Sequence, residues 1–553
     1  MKDEDRPAGA LTRRDLMRAG AIGGALAIAG PLLPHAAAKT PGQAPAGAPA
    51  LPFELEETTI AAFQEGMKSG RHTARSIIEA YLARIEELNL KGPELRAVIE
   101  TNPEALALAD ALDAERKAKG PRGPLHGIPV LLKDNIGTHD RMTTTAGSLA
   151  LEGSIPLRDA FLVARLREAG AVLLGKANLS EWANFRSTHS SSGWSSRGRQ
   201  CRNPYALDRC PSGSSSGSAV AAAANLAAVT VGSETDGSII SPSSICGVVG
   251  IKPTLGLISR AGVIPIAHSQ DTAGPICRTV ADAAILLGAM TGVDERDEAT
   301  LASRGKALTD YAKFLDPTGL RGAKIGIFHP KSLEDHPHTG RVLAESIAAL
   351  KSSGARVIDP VKLPAATQLD ADEFEVLLFE FKADLNRYLE DLGKAAPVHS
   401  LKEAIDFNTK NRDRVMPYFG QEIFEQAESR GPLTDEKYRK ALEDSKRMSR
   451  QEGLDAAFAD LRLDAVVSIS GGPAWLIDLI NGDSETGGSS QFAAVSGYPS
   501  ITVPAGYALG MPIGLSFIGP AWSEPKLIKM AYAFEQATKA RKVPRFLATA
   551  ELG

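Results

Sequence analysis

The 553-residue sequence is poor in cysteine, with only four, and in aromatic residues, which make up 5% of it. So few cysteines in a chain of this length exclude a disulfide scaffold, and they form no paired Cys-x-x-Cys motif that would hold zinc. Cys201 and Cys210 lie in one loop-like stretch and could pair with each other. Cys246 and Cys277 are predicted to be buried as small apolar residues.

Neither sign of charge dominates, because 62 Lys and Arg residues face 66 Asp and Glu residues and the formal net charge is −4. A balance so close to neutral provides no basic surface for a polyanion, and we therefore expect no nucleic-acid partner. The contents of 43% hydrophobic and 23% charged residues are ordinary for a globular chain and exclude wholesale disorder.

Long hydrophobic runs are also absent, apart from a short one near the N-terminus. There Arg13 and Arg14 precede an uncharged apolar run over 19–33, and three alanines at 36–38 form a small-residue cleavage site. This order predicts a twin-arginine signal peptide over residues 1–38. A short membrane anchor is the alternative, but the run is shorter than the ~18 residues that span a bilayer. We therefore expect a periplasmic or secreted bacterial protein without a membrane segment in its mature form.

After this segment, a Pro/Ala/Gly-rich stretch over 39–51 predicts a flexible linker. Short apolar runs and amphipathic segments then alternate, often with glycine where a helix should end, which is typical of an α/β protein. Because the short runs are apolar throughout, the sheet is expected to be covered on both faces. Strands are predicted at 128–132, 171–174, 228–232, 323–328, 355–358, 464–469, 500–504 and 513–518. Helices are predicted at 74–88, 104–118, 159–169, 217–226, 279–290, 340–353 and 524–538.

Residues 371–459 differ from this alternation, since they are charged, helical in pattern and poor in strands. Sheet patterning resumes after them, which favours one large domain over 52–553 with a helical insertion at about 371–459. The predicted fold class is therefore α/β: a large mixed, mostly parallel central sheet with helices on both faces.

Two segments rich in serine and glycine have the composition of active-site loops. PSGSSSGS (211–218) leads directly into a predicted helix, so its backbone N–H groups and hydroxyls could cradle a ligand, although a linker has a similar composition. GSETDGSI (232–239) follows a predicted strand, where a glycine-containing turn can present the N–H groups of an oxyanion hole or form only a polar turn. Lys133 ends another apolar strand and is a candidate base if burial keeps it neutral, whereas most such lysines reach the surface.

Other catalytic motifs find no support. Gly170, Gly175 and Lys176 have the spacing of a phosphate-binding loop, but Ala177 replaces its metal-binding Ser or Thr, and the residues between the two glycines are predicted to be a strand. The string from Gly213 to Gly217 has the Gly-x-Ser-x-Gly spacing, but no predicted strand leads into it as a nucleophile elbow requires, and the sequence contains no His-Glu-x-x-His pair. Ser/His/Asp catalysis and metal-dependent hydrolysis are therefore not indicated.

Taken together, these segments resemble the amidase signature family. The matching strings are GPLHGIPVLLKDNI (123–136), GKANLSEWANF (175–185), PSGSSSGSAVAAAANLA (211–227) and GSETDGSIISPSSICGVVGIKPT (232–254). The resemblance covers about 75–545 and is strongest to the bacterial peptide amidases, which remove the C-terminal amide of peptides. One departure is a single glycine, Gly237, before the last serine of ETDGS, where most relatives have two; another is a single glycine, Gly217, after SSS.

The resemblance implies the amidase signature fold and a Ser–Ser–Lys triad, with Ser238 as nucleophile, Ser214 as bridging serine and Lys133 as base. It implies that the backbone N–H groups of Thr235, Asp236, Gly237 and Ser238 hold the oxyanion, and that the Gly213–Ser214 peptide is cis. It implies neither a metal nor an organic cofactor, and the expected partner is a small-molecule or peptide amide substrate.

Several alternatives remain at this point. The same machinery would serve a broader amidase, an aryl-acylamidase or an esterase. The helical insertion and residues near Trp194 and Trp475 are candidate pocket walls, although the two tryptophans could equally be core aromatics. A glutaminase subunit of a tRNA-dependent amidotransferase works in the cytosol, so the export signal argues against it. A non-catalytic exported binding protein is disfavoured because all three triad positions are present.

Overall fold

A computed structural model describes residues 52–551 apart from 331–332, 334–335 and 365. The predicted signal peptide (1–38) and linker (39–51) lie outside the described residues. The residues from 52 onward belong to one compact unit. Within this described part of the chain, no helix combines the length and the apolar character that crossing a bilayer requires.

The described strands form one large sheet and one small hairpin. In chain order they are β1 (Val98–Thr101), β2 (Pro129–Lys133), β3 (Val172–Ala177), β4 (Trp194–Ser195), β5 (Arg199–Gln200), β6 (Val229–Glu234), β7 (Val249–Lys252), β8 (Thr272–Cys277), β9 (Lys324–Phe328), β10 (Arg356–Val361), β11 (Ala465–Ile469), β12 (Ser500–Ala508) and β13 (Met511–Ile518). The large sheet has eleven strands in the order β1-β3-β2-β6-β8-β7-β12-β13-β11-β9-β10, and β4 and β5 form the hairpin.

Helices flank the sheet, and most of them connect its strands. Those before the insertion are α1 (Ile60–Lys68), α2 (Ala74–Ile85), α3 (Ala105–Lys119), α4 (Phe161–Glu168), α5 (Ser216–Ala223), α6 (Ile240–Ile245), α7 (Val280–Met290) and α8 (Pro337–Ser352). Those within and after it are α9 (Ala366–Leu392), α10 (Leu401–Lys410), α11 (Arg412–Val415), α12 (Glu422–Glu428), α13 (Glu436–Lys446), α14 (Asp455–Leu461), α15 (Gln491–Ser496) and α16 (Glu524–Thr538).

Parallel pairing is confined to two groups of three strands, β3-β2-β6 and β11-β9-β10. Neighbouring strands elsewhere in the sheet pair antiparallel. The predicted mixed sheet flanked by helices is confirmed, but it is less parallel than expected. The reason lies in β1, β7 and β8, which the apolar runs do not predict and which pair antiparallel, and in β12 and β13, which a two-residue turn joins as a hairpin.

Local sequence explains why the main elements form where they do. Thr73 begins α2 with a capping box, in which its hydroxyl accepts from the N–H of Ser76 at 3.0 Å and the Ser76 hydroxyl accepts from the N–H of Thr73 at 2.9 Å. Every residue of β2 and β3 is buried, as the continuous apolar runs predict. Gly175 and Lys176 lie within β3 and not in a loop. The spacing that resembles a phosphate-binding loop is therefore part of a buried strand.

The helical segment between β10 and β11 has its own apolar core. Leu378, Phe381, Leu385 and Phe424 are fully buried there, and they pack with Trp182 and other residues from the main body. A polar contact also attaches α9 to the main body: Nδ1 of His268 lies 2.8 Å from an Asp384 carboxylate oxygen, and Nε2 lies 3.4 Å from Glu380.

The topology brings three chain segments to one edge of the sheet. Lys133 ends β2 and Glu234 ends β6, and because these strands are parallel neighbours, both residues lie at the same edge. β8 runs antiparallel to β6 and begins opposite Glu234, so the residue before it, Asp271, reaches the same edge. The segments that follow β2 and β6 therefore meet there.

Candidate active site

Lys133 lies at the centre of this edge and is completely buried. Its Nζ donates to the Ser214 hydroxyl at 2.7 Å, to the Ser233 hydroxyl at 2.9 Å and to the Ser233 carbonyl at 3.1 Å. The structure therefore joins two of the three predicted triad residues directly. It also reveals Ser233 as a second partner of the lysine.

Burial controls the protonation of this lysine. It lowers the pKa of Lys133 from its ordinary value to about 7, although the negative charges of Asp271 and Glu234 act in the opposite direction. Desolvation penalises the ammonium more than the neutral amine. A substantial fraction of Lys133 is therefore neutral near pH 7 and able to accept a proton.

Ser214 lies just before the N-terminus of α5, in the Ser/Gly segment that the sequence singled out. The Gly213–Ser214 peptide is cis. The Ser212 hydroxyl lies 2.8 Å from the Ser241 hydroxyl, and the Ser212 carbonyl accepts from the Ser216 hydroxyl at 2.6 Å. The segment is thus an ordered part of the core and not a linker.

Glu234 fixes the loop that carries Ser238 through hydrogen bonds to its backbone. One oxygen of this buried carboxylate accepts from the N–H groups of Ile239 at 2.7 Å and Ile240 at 2.9 Å. Gly237 has a φ of 73°, a left-handed conformation that favours glycine. The single glycine retained from the family pattern therefore occupies the position where the backbone requires it.

One main-chain contact brings the two serine segments together. The N–H of Ser215 donates to the Ser238 carbonyl at 3.2 Å. Ser238 is 8% exposed and Ser214 1%, and Ser238 lines the same cleft as Gly213. The nucleophile candidate Ser238 therefore faces the cleft, while Ser214 is more deeply buried and contacts the lysine.

The four predicted oxyanion residues form one turn at the end of β6. Thr235, Asp236, Gly237 and Ser238 all line the cleft. The Thr235 hydroxyl donates to Asp271 at 2.6 Å, which fixes the start of the turn. The N–H of Gly237 also faces the Glu234 carboxylate. The turn is therefore positioned by two carboxylates that do not themselves line the cleft.

Asp271 is a site residue that the sequence did not reveal. Besides Thr235, its carboxylate accepts from the N–H groups of Ile266 at 2.8 Å and Ala267 at 2.9 Å. Burial raises the pKa of Asp271 to about 6 against these hydrogen bonds. Near neutral pH its negative charge thus acts on Lys133. Asp271 lies within a further run that matches the family, GLISRAGVIPIAHSQDTAGPI (256–276), but nothing in the sequence marks its contact with the Ser238 turn.

Asn135 and Ser215 complete the surroundings of the lysine. Nδ2 of Asn135 donates to the Ser233 hydroxyl at 2.9 Å, and the Ser215 hydroxyl donates to the Ser233 carbonyl at 2.9 Å. Both partners orient Ser233, which contacts Lys133. Asn135 lies within one of the strings that match the family, but its role depends on a neighbouring strand and could not be read from sequence.

A cleft of about 760 Å³ opens above these residues. Its walls come from several elements, including α9 of the helical segment and the N-terminal part of α15. Lining residues include Asn184, Phe185, Ile266, Phe328, Leu377, Glu485 and Phe492. The cleft is thus large enough for several residues of a peptide, and the helical segment contributes to it as predicted.

The two candidate tryptophans do not line this cleft. Trp194 is buried and packs edge-on against Phe419, with its ring centroid 5.1 Å away. Nε1 of Trp475 donates to Asp483 at 3.0 Å. Both are therefore core aromatics.

All four cysteines are free and buried, so the pairing considered for Cys201 and Cys210 is not formed. Cys210 instead donates to the Ser192 carbonyl at 3.4 Å, and Cys246 and Cys277 are buried as predicted.

The buried lysine, the two serine loops and the cleft define an amide hydrolase. The family model described as amidase matches residues 76–528, and this chain belongs to that family.

The most similar solved structures include the native peptide amidase of Stenotrophomonas maltophilia, which is 51% identical with a TM-score of 0.86 and covers 90% of this chain and 100% of its own. A peptide amidase bound to the competitive inhibitor chymostatin is also 51% identical, with a TM-score of 0.86, over 89% of this chain and 100% of its own.

Two curated relatives extend the comparison. A probable amidase of Arabidopsis thaliana is 47% identical over 508 residues, which cover 90% of this chain and 93% of the relative. One subunit of the glutamyl-tRNA(Gln) amidotransferase of Thermoanaerobacter pseudethanolicus is 34% identical over 511 residues, covering 89% of this chain and 99% of the relative. The amidase signature resemblance is thus confirmed.

Proposed function

We propose that this amide hydrolase works through Ser238, Ser214 and Lys133 and removes the C-terminal amide of peptides. The observation that carries the catalytic part is the 2.7 Å hydrogen bond between Lys133 and Ser214 inside a buried site that adjoins Ser238. The substrate part is supported by the large cleft and by the similarity to peptide amidases.

The first half of the reaction forms an acyl-enzyme. Neutral Lys133 accepts the proton of the Ser214 hydroxyl, and Ser214 accepts the proton of Ser238. The Ser238 oxygen then bonds to the amide carbon, and the carbonyl electron pair moves to its oxygen. Backbone N–H groups of the turn at 235–238, apart from that of Gly237, which faces Glu234, stabilise this oxyanion, each by about 3 kcal/mol.

The second half returns the protons. Collapse of the oxyanion breaks the C–N bond, and the nitrogen leaves as ammonia after taking the proton that Lys133 had received through Ser214. Water then attacks the acyl-enzyme along the same relay, which releases the peptide acid and restores the Ser238 hydroxyl.

A substrate panel tests the specificity. The mature protein is incubated with amidated peptides, simple aliphatic amides, anilides and esters, and products are identified by mass. Conversion of peptide amides to free acids with internal peptide bonds intact is the expected result. Preferred turnover of anilides, small amides or esters would replace the proposal with the broader amidase or esterase. Activity only with an added partner protein would favour the amidotransferase role.

We also propose that residues 1–38 direct export by the twin-arginine route, because Arg13 and Arg14 precede an apolar run and a small-residue site. Fractionation of cells that produce the full chain tests this. Replacing both arginines with lysine should move the protein from the periplasm to the cytoplasm. An unchanged distribution would contradict the proposal.

A further inference from the structure

The cleft above Ser238 is acidic. Three carboxylate side chains line it, Asp236, Asp370 and Glu485, and the described residues around it include no Lys or Arg. The single histidine among them, His329, lies 2.6 Å from Asp359 outside the lining. Any charged group that enters this cleft therefore meets negative charge.

Asp236 is the carboxylate closest in sequence to the nucleophile, two residues before Ser238. Its Oδ1 atom is fully buried and has no hydrogen-bond partner in the described protein, while its carboxylate accepts from the Ser490 hydroxyl. A buried carboxylate oxygen without a donor is costly unless a ligand supplies one. The protein thus leaves hydrogen-bonding capacity unused on this carboxylate, and because Asp236 lines the cleft and is partly exposed, a donor on the substrate can use it.

The other carboxylates surround this position from different elements. On α9, Asp370 and the buried Glu373 both accept from the Gln491 amide, and Glu373 also accepts from Gln270 at 2.7 Å. On the loop before α15, Glu485 accepts from the Ser241 hydroxyl at 3.5 Å. These donors are neutral, so they orient the carboxylates without cancelling their charge.

Behind the group lies one buried cation that acts on Asp236, Lys252 on β7. Its single charge also interacts with Glu234 and Glu524, so it does not balance the carboxylates that line the cleft. The titratable groups that face Asp236 are otherwise acidic, namely Glu234, Glu373 and Glu485. An ammonium group would relieve their mutual repulsion.

The chemistry of the reaction determines which part of a substrate lies next to Asp236 and the neighbouring carboxylates. The leaving group of a primary amide is ammonia and carries no further substituent. Apart from the amide NH2 itself, whatever the cleft recognises must therefore belong to the acyl side.

We propose that Asp236, supported by Asp370, Glu373 and Glu485, forms a subsite for an ammonium group on the acyl side of the amide. This inference rests on the proposed function. The ammonium is either the free N-terminus of a short peptide amide or a basic side chain next to the C-terminal residue. Both sources supply the same N⁺–H donors for the unpartnered oxygen of Asp236.

Two pairs of substrates of matched shape separate the sources. Alanyl-phenylalaninamide is compared with propionyl-phenylalaninamide, which lacks only the amine. Acetyl-lysyl-phenylalaninamide is compared with acetyl-norleucyl-phenylalaninamide, which lacks only the side-chain ammonium. The readout is the ratio of kcat/KM within each pair, because changes in the catalytic relay affect both members equally.

We expect the charged member to be favoured by about 10-fold to 100-fold in at least one pair, the size of one hydrogen bond to a charged group. The Asp236→Asn variant keeps the backbone and should bring that ratio close to one, mainly through KM. The matched control is Glu390→Gln on α9, an exposed carboxylate outside the cleft, which should leave the ratio unchanged.

The ratio should also depend on pH. Burial, together with the neighbouring Asp370, raises the pKa of Glu373 to about 7, and burial with Glu373 raises the pKa of Asp236 well above its usual range. A carboxyl group with a raised pKa is charged only above that pKa. If the lysyl substrate is the favoured one, its advantage should therefore increase as the pH rises and these carboxyl groups ionise, with Glu373 ionising through pH 7, since the lysine stays charged to about pH 10.

The outcomes separate the two proposals. Ratios near one in both pairs, with normal turnover of the neutral substrates, would overturn the subsite and leave the proposed function intact. A preference that survives Asp236→Asn would also overturn it. Failure to hydrolyse any of the four peptide amides would overturn the proposed function and the subsite together.

Discussion

Three lysines on strands of the large sheet, Lys133 on β2, Lys176 on β3 and Lys252 on β7, are fully buried, and their contacts distinguish them. Burial lowers the pKa of Lys176 and of Lys252 to about 8 in each case. Lys176 donates to the Ile136 carbonyl and the Thr144 hydroxyl, both at 2.7 Å, and Lys252 donates to the Pro253 carbonyl. Lys133 alone of the three donates to a serine that adjoins the cleft. In the proposed mechanism, burial thus makes Lys133 able to accept a proton, and its hydrogen bond to Ser214 links it to the cleft.

The pH dependence of peptide-amide hydrolysis should follow this lysine. Because burial lowers the pKa of Lys133 to about 7, kcat/KM for an uncharged peptide amide should rise as the pH increases through 7 and then level off. Lys133→Ala should lower kcat by about 10²-fold to 10⁴-fold, the range for loss of a general base. Circular dichroism of the variant controls for folding, and full activity would contradict the assignment.

Asp271 should act as a positioning residue whose charge tunes the base. Its carboxylate raises the pKa of Lys133, so the neutral Asp271→Asn should move the rising limb of the pH–rate profile to lower pH. An asparagine can still accept from the Ile266 and Ala267 N–H groups. A change in rate without a shift of the limb would show that Asp271 has only a structural role.

At the residue scale, sequence could identify groups that carry chemistry but not those that support them. Lys133, Ser214 and Ser238 stand in distinctive strings, and the resemblance supplies their roles. Ser233 and Asp271 are ordinary residues in the sequence. They matter because β6 lies between β2 and β8, and that pairing is a property of the whole sheet.

At the element scale, the Ser/Gly segment works because α5 packs very closely on its surroundings. Every residue of α5 is buried. A Cβ added at Gly217 would collide with the Ala97 carbonyl and with the main chain of Asn178. The N–H of Gly217 also donates to the Asn178 carbonyl at 2.9 Å. The glycine therefore sets the distance between α5 and the segment after β3.

Gly217→Ala should destabilise the protein by about 1–3 kcal/mol, as overpacking against main-chain atoms does. The control is Gly340→Ala in α8, where a Cβ meets nothing within 4 Å, so that alanine should stabilise the helix by about 0.5–1 kcal/mol. Denaturant unfolding measures both. Equal effects of the two substitutions would contradict the packing argument.

The elements themselves were largely predictable, with instructive exceptions. The apolar runs that predicted eight strands coincide with β2, β3, β6 and β9–β13 to within a few residues. β8 was missed because TAGPIC contains a glycine and a proline, both of which disfavour strands. A Cβ at Gly274 would collide with the Ile251 carbonyl of β7, so the approach of the two strands requires the glycine. Only tertiary packing reveals this.

At the scale of the whole molecule, distant parts of the described chain meet at Arg541. Its guanidinium donates to both carboxylate oxygens of Glu57 at 2.7 Å, to the Gly247 carbonyl at 2.7 Å and to the Ala223 carbonyl at 3.0 Å. The arginine thereby joins the segment after α16 to the segment before α1 and to the ends of α5 and α6. Several elements that frame the active site share this contact.

Arg541→Ala should therefore lower the free energy of unfolding by about 2 kcal/mol. This is the expected loss for hydrogen bonds to a charged group, and it is kept low because Glu57 is partly exposed. The matched control is Arg545→Ala, whose pairing with Glu551 is exposed and worth at most about 1 kcal/mol. Urea unfolding of both variants checks the difference. An equal loss in the two would show that Arg541 is not a structural junction.

Release of ammonia from an amidated peptide tests the central claim most directly. The mature protein and its Ser238→Ala variant are incubated with an amidated peptide, and ammonia and peptide products are quantified. We predict one ammonia for each free-acid peptide, no internal cleavage, and loss of release in the variant despite an unchanged fold. Undiminished release by Ser238→Ala, or no release from any peptide amide by the unmodified protein, would contradict the account.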